Sequence, residues 1–191
     1  DDVVDEAMER RGFASINARW NNKVAVLVGD FLLAKGLLIA IDNKEHDFLD
    51  VLSESVRLMS EGELLQIQTT REEEANEARY FDIIYGKTAS LISACCEIGA
   101  ISVTNDTNIR SKIKEFGRLL GLAFQIRDDI IDYIGKSSIV GKPIGNDIRE
   151  RKITLPLIYA LQNVPTSEAR KVIKQVKSRS KKKNIKLIVD F

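Results

Sequence analysis

Residues 121–132 read GLAFQIRDDIID, an apolar stretch that ends in three aspartates. On an α-helix, residues four positions apart share a face, so Asp128 stacks over Asp132 and their carboxylates point in one direction. The apolar residues before them indicate a helix that is largely buried. Like charges in such a place are costly unless a cation neutralises them. The stretch therefore predicts a core helix that carries a cation-binding cluster.

A second cluster of the same form, DDVVD, occupies residues 1–5. On a helix, Asp1 would stack over Asp5 in the same way. Either cluster alone is typical of a solvated helix face or of a first turn that complements the helix dipole. Two such faces opposed across a bundle would instead form an all-oxygen site, which suits Mg²⁺ completed by water and substrate phosphates. We therefore predict a shared magnesium site that binds a diphosphate.

Apolar residues recur at three- and four-residue spacing along most of the chain, which predicts helices. No sustained alternation favours a sheet, and 44% hydrophobic content over 191 residues supplies one sizeable core. The expected fold class is all-α, a large antiparallel helical bundle formed by a single domain over residues 1–191. The predicted helical segments are Val24–Ile41, Phe48–Ile67, Tyr80–Ile101, Ile109–Tyr133 and Leu155–Leu161.

Charge and cysteine usage narrow the functional classes. The net charge of +1 provides no global field for nucleic acid. Adjacent Cys95 and Cys96 suit neither a structural disulfide nor a zinc site, which predicts reduced core thiols in a cytoplasmic protein. The basic run from Lys177 to Lys183 is typical of a solvated segment.

The most apolar stretch, residues 24–40, contains Asp30 and Lys35. A membrane-spanning helix needs about 20 predominantly apolar residues. We therefore predict a buried bundle helix here and no transmembrane segment.

Further motifs follow the aspartate clusters along the chain. They are Asp5–Gly12 with its arginine pair, Gly29-Asp30, Glu61-Gly62-Glu63 with Gln66, Lys87-Thr88, Phe124-Gln125, Lys142–Asp147 and Lys152–Pro156. With these motifs, in family order and over nearly the whole chain, the sequence resembles the all-trans isoprenyl (polyprenyl) diphosphate synthases.

The resemblance implies a bundle of the isoprenoid synthase type with a central cavity. It implies a prenyltransferase that ionises an allylic diphosphate, condenses the cation with isopentenyl diphosphate and eliminates a proton. Three Mg²⁺ ions would bind the leaving diphosphate. The implied principal metal ligands are Asp1, Asp5 and Asp128, with Asp2, Asp129 and Asp132 as additional ligands or hydrogen-bond partners.

The resemblance also assigns substrate contacts. By position in the family motif, Arg10 would bind the allylic diphosphate and Arg11 the isopentenyl diphosphate. Adjacent helical residues point about 100° apart, so the two can serve different diphosphates. Lys87 and Lys142 would add positive charge, and Thr88 and Gln125 would line the site and stabilise the cation. Secondary candidates are Lys152 and Asp147.

The family carries helices before the first aspartate motif and after the Thr-Leu-Pro segment, so we expect the chain to be a fragment that lacks them. The family and the many apolar helices also predict a homodimer. Two residues separate the second and third aspartates of the first motif, which favours a longer, octaprenyl product.

Several alternatives compete with this interpretation. A geranyl, farnesyl or geranylgeranyl diphosphate synthase can share the two-residue spacing. A non-catalytic subunit of a heteromeric prenyl synthase usually loses its aspartates, and a terpene cyclase usually carries Asn, Ser or Thr, and Glu in its second site. A purely structural bundle does not explain why all the motifs occur together.

Overall fold

The computed structural model describes residues 2–4, 7–10, 12–72, 74–134, 145–178, 185–189 and 191. The chain forms two compact units, residues 1–50 and residues 51–191. The single domain expected over 1–191 stays a prediction.

Unit 1 begins with a turn at residues 2–4 and a short β-hairpin. Gly12 has φ +80° between the paired strands, a conformation that glycine adopts without strain. The helices that follow are capped, since the side chains of Ser15 and Asn21 accept hydrogen bonds from the N–H groups of Ala18 and Val24. The elements are β1 Glu9–Arg10, β2 Phe13–Ala14, α1 Ile16–Arg19 and α2 Asn22–Asp42.

Helix α2 forms where the sequence predicts it, but none of its residues is buried. The expectation of a buried helix is therefore wrong for this chain, because within the described part of unit 1 the helix that packs on α2 is the four-residue α1. By length and composition α2 could cross a membrane, a property that core helices of soluble proteins and N-terminal signal sequences share. The absence of a transmembrane segment stays a prediction.

Unit 2 is helical, and the all-α class is confirmed. Each predicted segment corresponds to helix, although a π-helix interrupts the predicted segment 80–101. Pro156 lies in the first turn of its helix, where its missing N–H has no partner to lose. The elements are α3 His46–Thr69, which begins before the unit boundary, α4 Glu77–Ile84, the π-helix Tyr85–Ala89, α5 Ser90–Ile101, α6 Thr107–Ile134, α7 Asn146–Arg149, α8 Leu155–Gln162, α9 Thr166–Lys177 and α10 Ile185–Val189.

Two glycines on one face of α6 set its packing. A Cβ at Gly117 would lie 2.8 Å from the Cα of Ser93, and a Cβ at Gly121 would lie 2.5 Å from the Cα of Ala89. Only glycine permits backbones to approach this closely. The contact of Gly121 with Ala89 fixes how far α6 is shifted along the π-helix. It thereby sets the position of the second aspartate motif, which lies at the C-terminal end of α6.

The apolar core of unit 2 joins the later helices to α4. One buried cluster consists of Ile148, Leu157, Leu161, Val172, Val176 and Ile188. A second cluster packs Tyr80 and Ile84 of α4 against Ile158 of α8. These contacts hold α4 and α8 together.

The cysteines differ from expectation in their burial. Both thiols are free, as predicted, but Cys95 is exposed and Cys96 is half-buried. Helix α5 buries Ser93 and Ala94 instead, because the glycine face of α6 accommodates small residues.

Candidate active site

The π-helix between α4 and α5 carries Lys87 and Thr88. The hydrogen bonds of a π-helix span one residue more than those of an α-helix, and such π-bulges occur frequently at functional sites. The π-helix rests directly on α3, since a Cβ at Gly62 would lie 2.7 Å from the backbone nitrogen of Lys87. Gly62 therefore has a packing role in the predicted Glu-Gly-Glu segment.

The two neighbouring side chains of the π-helix contact different helices. Lys87 Nζ lies 2.5 Å from Glu63 Oε1 of α3. Thr88 Oγ1 donates a hydrogen bond of 2.9 Å to Gln125 Oε1 of α6. The Lys-Thr and Phe-Gln motifs, which are distant in the sequence, thus meet in space.

The second aspartate motif lies on a helix, as predicted, but the expectation that this helix is largely buried is wrong, because Asp129 and two glycines are the buried residues of α6. Asp129 has 4% of its surface exposed. Its Oδ1 accepts a hydrogen bond of 2.7 Å from Gln125 Nε2, and its Oδ2 accepts one of 2.7 Å from the Tyr80 hydroxyl. Burial raises the pKa of Asp129, and the two hydrogen bonds oppose that rise. Both of its oxygens are therefore bonded to protein donors.

Asp132 caps the short helix α7. Its Oδ1 accepts the N–H of Asn146 and its Oδ2 accepts the N–H of Asp147, each at 3.1 Å. These are first-turn N–H groups, which have no partner within their own helix. Asp128, by contrast, is exposed to solvent. The motif thus contains two carboxylates fixed by protein donors and one exposed carboxylate.

A cavity of about 100 Å³ lies within unit 2. Five predicted site residues line it together with Asp147, and its lining includes three lysines and three carboxylic acids. The complete lining is Gln66, Thr69, Thr70, Glu74, Asn76, Tyr80, Ile83, Ile84, Lys87, Thr88, Gln125, Asp129, Asp147, Lys152, Ile153, Thr154 and Lys177.

Asp147 has the most perturbed carboxyl group in the cavity. Its pKa is raised to about 7, first by burial and then by the charges of Asp129 and Asp132, while Lys152 opposes the shift. A carboxyl group surrounded by other carboxylates gains stability as an anion when a cation binds nearby.

The backbone after α7 brings Lys152 to the cavity. Arg151 has φ +63°, and the Lys152 N–H donates to the Asp147 carbonyl at 2.8 Å. A left-handed residue followed by such a bond ends a helix abruptly. Lys152 Nζ also lies 2.5 Å from Glu150 Oε2.

The first aspartate motif differs from its prediction. Asp2 lies in a turn and Arg10 in strand β1, so the helix assumed for both is wrong. The Ala7 N–H donates to the Asp2 carbonyl at 2.8 Å, and the chain then enters the hairpin at Gly12. Four predicted site residues lie outside the described residues: Asp1, Asp5, Arg11 and Lys142.

Metal binding is not tested by the described part of the chain. Within it, no three His, Cys, Asp or Glu side chains are grouped so as to hold an ion. The two aspartate motifs also belong to different units. Their shared metal site therefore stays a prediction.

Sequence reasoning missed two cavity residues of chemical interest. Tyr80 has no distinguishing spacing or neighbour in the sequence. Lys177 was assigned to a solvated run, which is wrong, because it is half-buried and its Nζ donates to the Thr69 carbonyl at 2.7 Å. Residues 179–183 of that run lie outside the described residues.

The fold defines the class as an all-α helical protein with an internal cavity, and sequence comparison gives the family. The polyprenyl synthetase family pattern matches residues 1–190, so this chain belongs to that family. The all-trans-nonaprenyl-diphosphate synthase (geranyl-diphosphate specific) of Rhodobacter capsulatus is 43% identical over 163 residues, 85% of this chain and 50% of that protein. The octaprenyl diphosphate synthase of Escherichia coli K12 is 36% identical over 172 residues, 90% of this chain and 53% of that protein.

Solved structures agree with the assignment. A decaprenyl diphosphate synthase from Rhodobacter capsulatus superposes with a TM-score of 0.89 at 37% identity, covering 100% of this chain and 59% of that one. A polyprenyl synthase from Caulobacter crescentus complexed with calcium and isoprenyl diphosphate gives 0.88 at 34% identity, covering 100% and 58%. These neighbours show the isoprenoid synthase fold. The chain spans about half the length of the curated relatives it matches.

Proposed function

We propose that this chain provides part of the active site of an all-trans polyprenyl diphosphate synthase, which condenses isopentenyl diphosphate with an allylic diphosphate. The observation that carries the proposal is the cavity, where Lys87, Thr88, Gln125, Asp129 and Lys152 converge from three separate segments. Family membership over residues 1–190 supports it. So does the Caulobacter relative, whose complex contains a divalent cation and an isoprenyl diphosphate.

The lysines of the cavity are suited to binding phosphate oxygens. Lys87 and Lys152 are held by Glu63 and Glu150, which orients their ammonium groups. Charge-assisted hydrogen bonds from such groups to phosphate are stronger than neutral ones. On the basis of the family resemblance, the proposed further diphosphate contacts are Arg10, Arg11 and Lys142.

The composition of the lining fits magnesium. Three lysines and three carboxylic acids leave little net positive charge for a diphosphate, so a bound cation would complete the electrostatic balance. Asp128, exposed one residue before Asp129, is available as a ligand, and Asp1, Asp2 and Asp5 are proposed to complete the set. Bound Mg²⁺, proposed as three ions, would neutralise charge on the departing diphosphate.

Gln125 and Thr88 are proposed to stabilise the allylic cation that remains. Their oxygens lie beside the cavity, and oxygen lone pairs favour a nearby positive charge. The double bond of isopentenyl diphosphate then attacks the cation, and the released diphosphate accepts the proton that is lost. No side-chain nucleophile takes part.

We further propose a long-chain product of octaprenyl type, a homodimer and a cytoplasmic location. The names of the octaprenyl and nonaprenyl relatives support the product length. A component of a heptaprenyl synthase and geranylgeranyl synthases also match, and these favour the alternatives of a heteromeric subunit and a shorter product.

The test is to incubate the purified protein with Mg²⁺, isopentenyl diphosphate and either geranyl or farnesyl diphosphate, and to measure product length by mass spectrometry. We expect all-trans products near eight isoprene units. Arrest at four units or fewer would support the short-chain alternative. Failure to turn over alone or with a candidate partner subunit would overturn the proposed activity.

A further inference from the structure

We propose that Tyr80 is a positioning residue that fixes the orientation of the Gln125 amide through Asp129. The three side chains and Thr88 form one continuous hydrogen-bonded series that joins α4, α6 and the π-helix. Tyr80 lies outside every motif that identifies the family here. The catalytic consequence rests on the proposed function, whereas the structural consequence does not.

The direction of each hydrogen bond follows from the chemistry of Asp129. An ionised carboxylate only accepts, so both groups that contact it must donate. The Tyr80 hydroxyl donates to Oδ2, and the Gln125 group 2.7 Å from Oδ1 must be the amide NH₂. The Gln125 carbonyl oxygen is then directed to Thr88, whose hydroxyl donates to it. Asp129 thus determines which end of the amide lies nearer the cavity residue Thr88.

That choice matters because the two ends of an amide have the same shape and opposite polarity. In the observed orientation, the Gln125 carbonyl oxygen is next to the Thr88 oxygen, so two atoms with lone pairs are adjacent. If the amide rotated by 180°, its NH₂ group would replace the carbonyl oxygen, and N–H dipoles disfavour a developing cation. The orientation therefore bears on the reaction step that forms the cation.

Tyr80 secures this arrangement at a buried position. Tyr80 is 5% exposed and Asp129 4% exposed. A buried carboxylate oxygen that loses its donor is costly, so it recruits another donor or the carboxylate rotates. Either response disturbs the hydrogen bond that Gln125 donates to Asp129. Removal of one phenolic oxygen on α4 should therefore change the hydrogen bond at Thr88, to which the Tyr80 hydroxyl is joined by this series.

The direct test is NMR of the Gln125 side-chain amide in ¹⁵N-labelled protein, assigned by its loss in Gln125→Glu. Tyr80→Phe should shift these resonances and broaden or split them as the amide samples both orientations. Tyr159→Phe removes a phenol from an exposed residue of α8 and serves as the matched control. Unchanged Gln125 resonances in Tyr80→Phe would overturn the proposal.

Asp129→Asn provides a second variant should Tyr80→Phe fold poorly. Its side chain can accept from Tyr80 while its NH₂ donates to Gln125, which should rotate the amide and retain the series. We expect the Gln125 signals to move while the melting temperature changes little compared with Asp129→Ala. Signals that stay at their wild-type positions would contradict the assigned role of Asp129.

Kinetics test the catalytic consequence. Tyr80→Phe and Thr88→Val should each lower kcat roughly tenfold, the effect of one lost hydrogen bond of this kind, with little change in KM. The double variant should resemble the single variants, since both act on one amide. Multiplying effects would show that Tyr80 acts independently of Gln125. A wild-type protein without turnover would count against the proposed function, and the NMR result would still decide the positioning role.

Discussion

Residues 1–5 and residues 128–132 have the same pattern of two aspartates, two apolar residues and a third aspartate, but their described parts differ in structure. Residues 2–4 form a turn ahead of a hairpin, whereas residues 128–132 lie in the last turns of α6. The flanking sequence accounts for the difference. Residues 121–126 continue a helix, while Gly12 and its hairpin follow the first motif. A shared motif specifies the carboxylates but not the backbone that carries them.

The second motif also shows that its carboxylates are not equivalent. Asp129 and Asp132 accept hydrogen bonds from protein donors, and Asp128 is exposed. Helical spacing alone does not distinguish Asp128 from Asp132, since both lie on the predicted face. The contacts of each side chain separate the exposed carboxylate from the two that accept hydrogen bonds from neighbouring segments.

The largest expected effect is on activity. Asp128→Ala should lower turnover on the order of 10³-fold, comparable to deleting a preorganised electrostatic stabiliser, and should leave the circular dichroism spectrum unchanged. The same loss is expected for Asp1→Ala if the two motifs share a metal site. Wild-type turnover in Asp128→Ala would show that Asp128 is not the metal-binding carboxylate of the second motif.

The next effect is on stability and should be larger for the buried Asp129 than for the exposed Asp128. Asp129→Ala leaves the donors of Tyr80 and Gln125 without a partner, and we expect the free energy of unfolding to fall by roughly 2–4 kcal/mol. Asp128→Ala should change it by less than about 0.5 kcal/mol, as for an ordinary surface substitution. Urea denaturation of both variants measures the difference, and equal losses would contradict the assigned roles.

A smaller effect concerns the register that places α6 beside the π-helix. Gly121→Ala would put a Cβ 2.5 Å from the Cα of Ala89, so the helices must move apart, at a cost of roughly 1–3 kcal/mol. Gly99→Ala is the matched control, because a Cβ at Gly99 meets nothing within 4 Å. The control should stabilise the protein slightly, since alanine favours helix. Thermal denaturation measures the difference, and equal changes of melting temperature in the two variants would argue against close packing at Gly121.

The most gradual effect is the pH dependence of stability without metal. The pKa of Asp147 is raised to about 7, and in the unfolded chain it is about 3.9. The folded protein therefore binds more protons in this window, so the contribution of Asp147 to stability falls as pH rises from about 4 to about 7. The slope should not exceed about 1.4 kcal/mol per pH unit. Asp147→Asn should flatten the profile in this range, and an unchanged slope would contradict the assignment.

The sequence predicted the helices well because apolar periodicity reports which residues can pack. It placed Lys87, Thr88, Gln125 and Lys152 at one site through the family resemblance, and the structure brings these residues to one cavity. It did not predict the π-helix, because the π-helix occurs where the chain packs closely on Gly62 of α3, and that contact is between segments distant in the sequence.

Other features depended on contacts between distant segments. The phenol of Tyr80 reaches Asp129 from 49 positions away, and Lys177 reaches Thr69 from 108 positions away. Local patterns carry no signal for such partners. The turn at residues 2–4 was missed because the motif resembles a helical face when its spacing alone is considered.

Calorimetric titration of inorganic diphosphate into the protein with and without Mg²⁺ tests the central claim most directly. The account predicts binding that requires Mg²⁺, and an affinity at least about tenfold weaker in Asp128→Asn, as for one lost charge-assisted contact. Equal affinity in wild type and Asp128→Asn would contradict the assignment of Asp128 as a ligand of the cation that binds the diphosphate. Wild-type binding that does not depend on Mg²⁺ would contradict it as well.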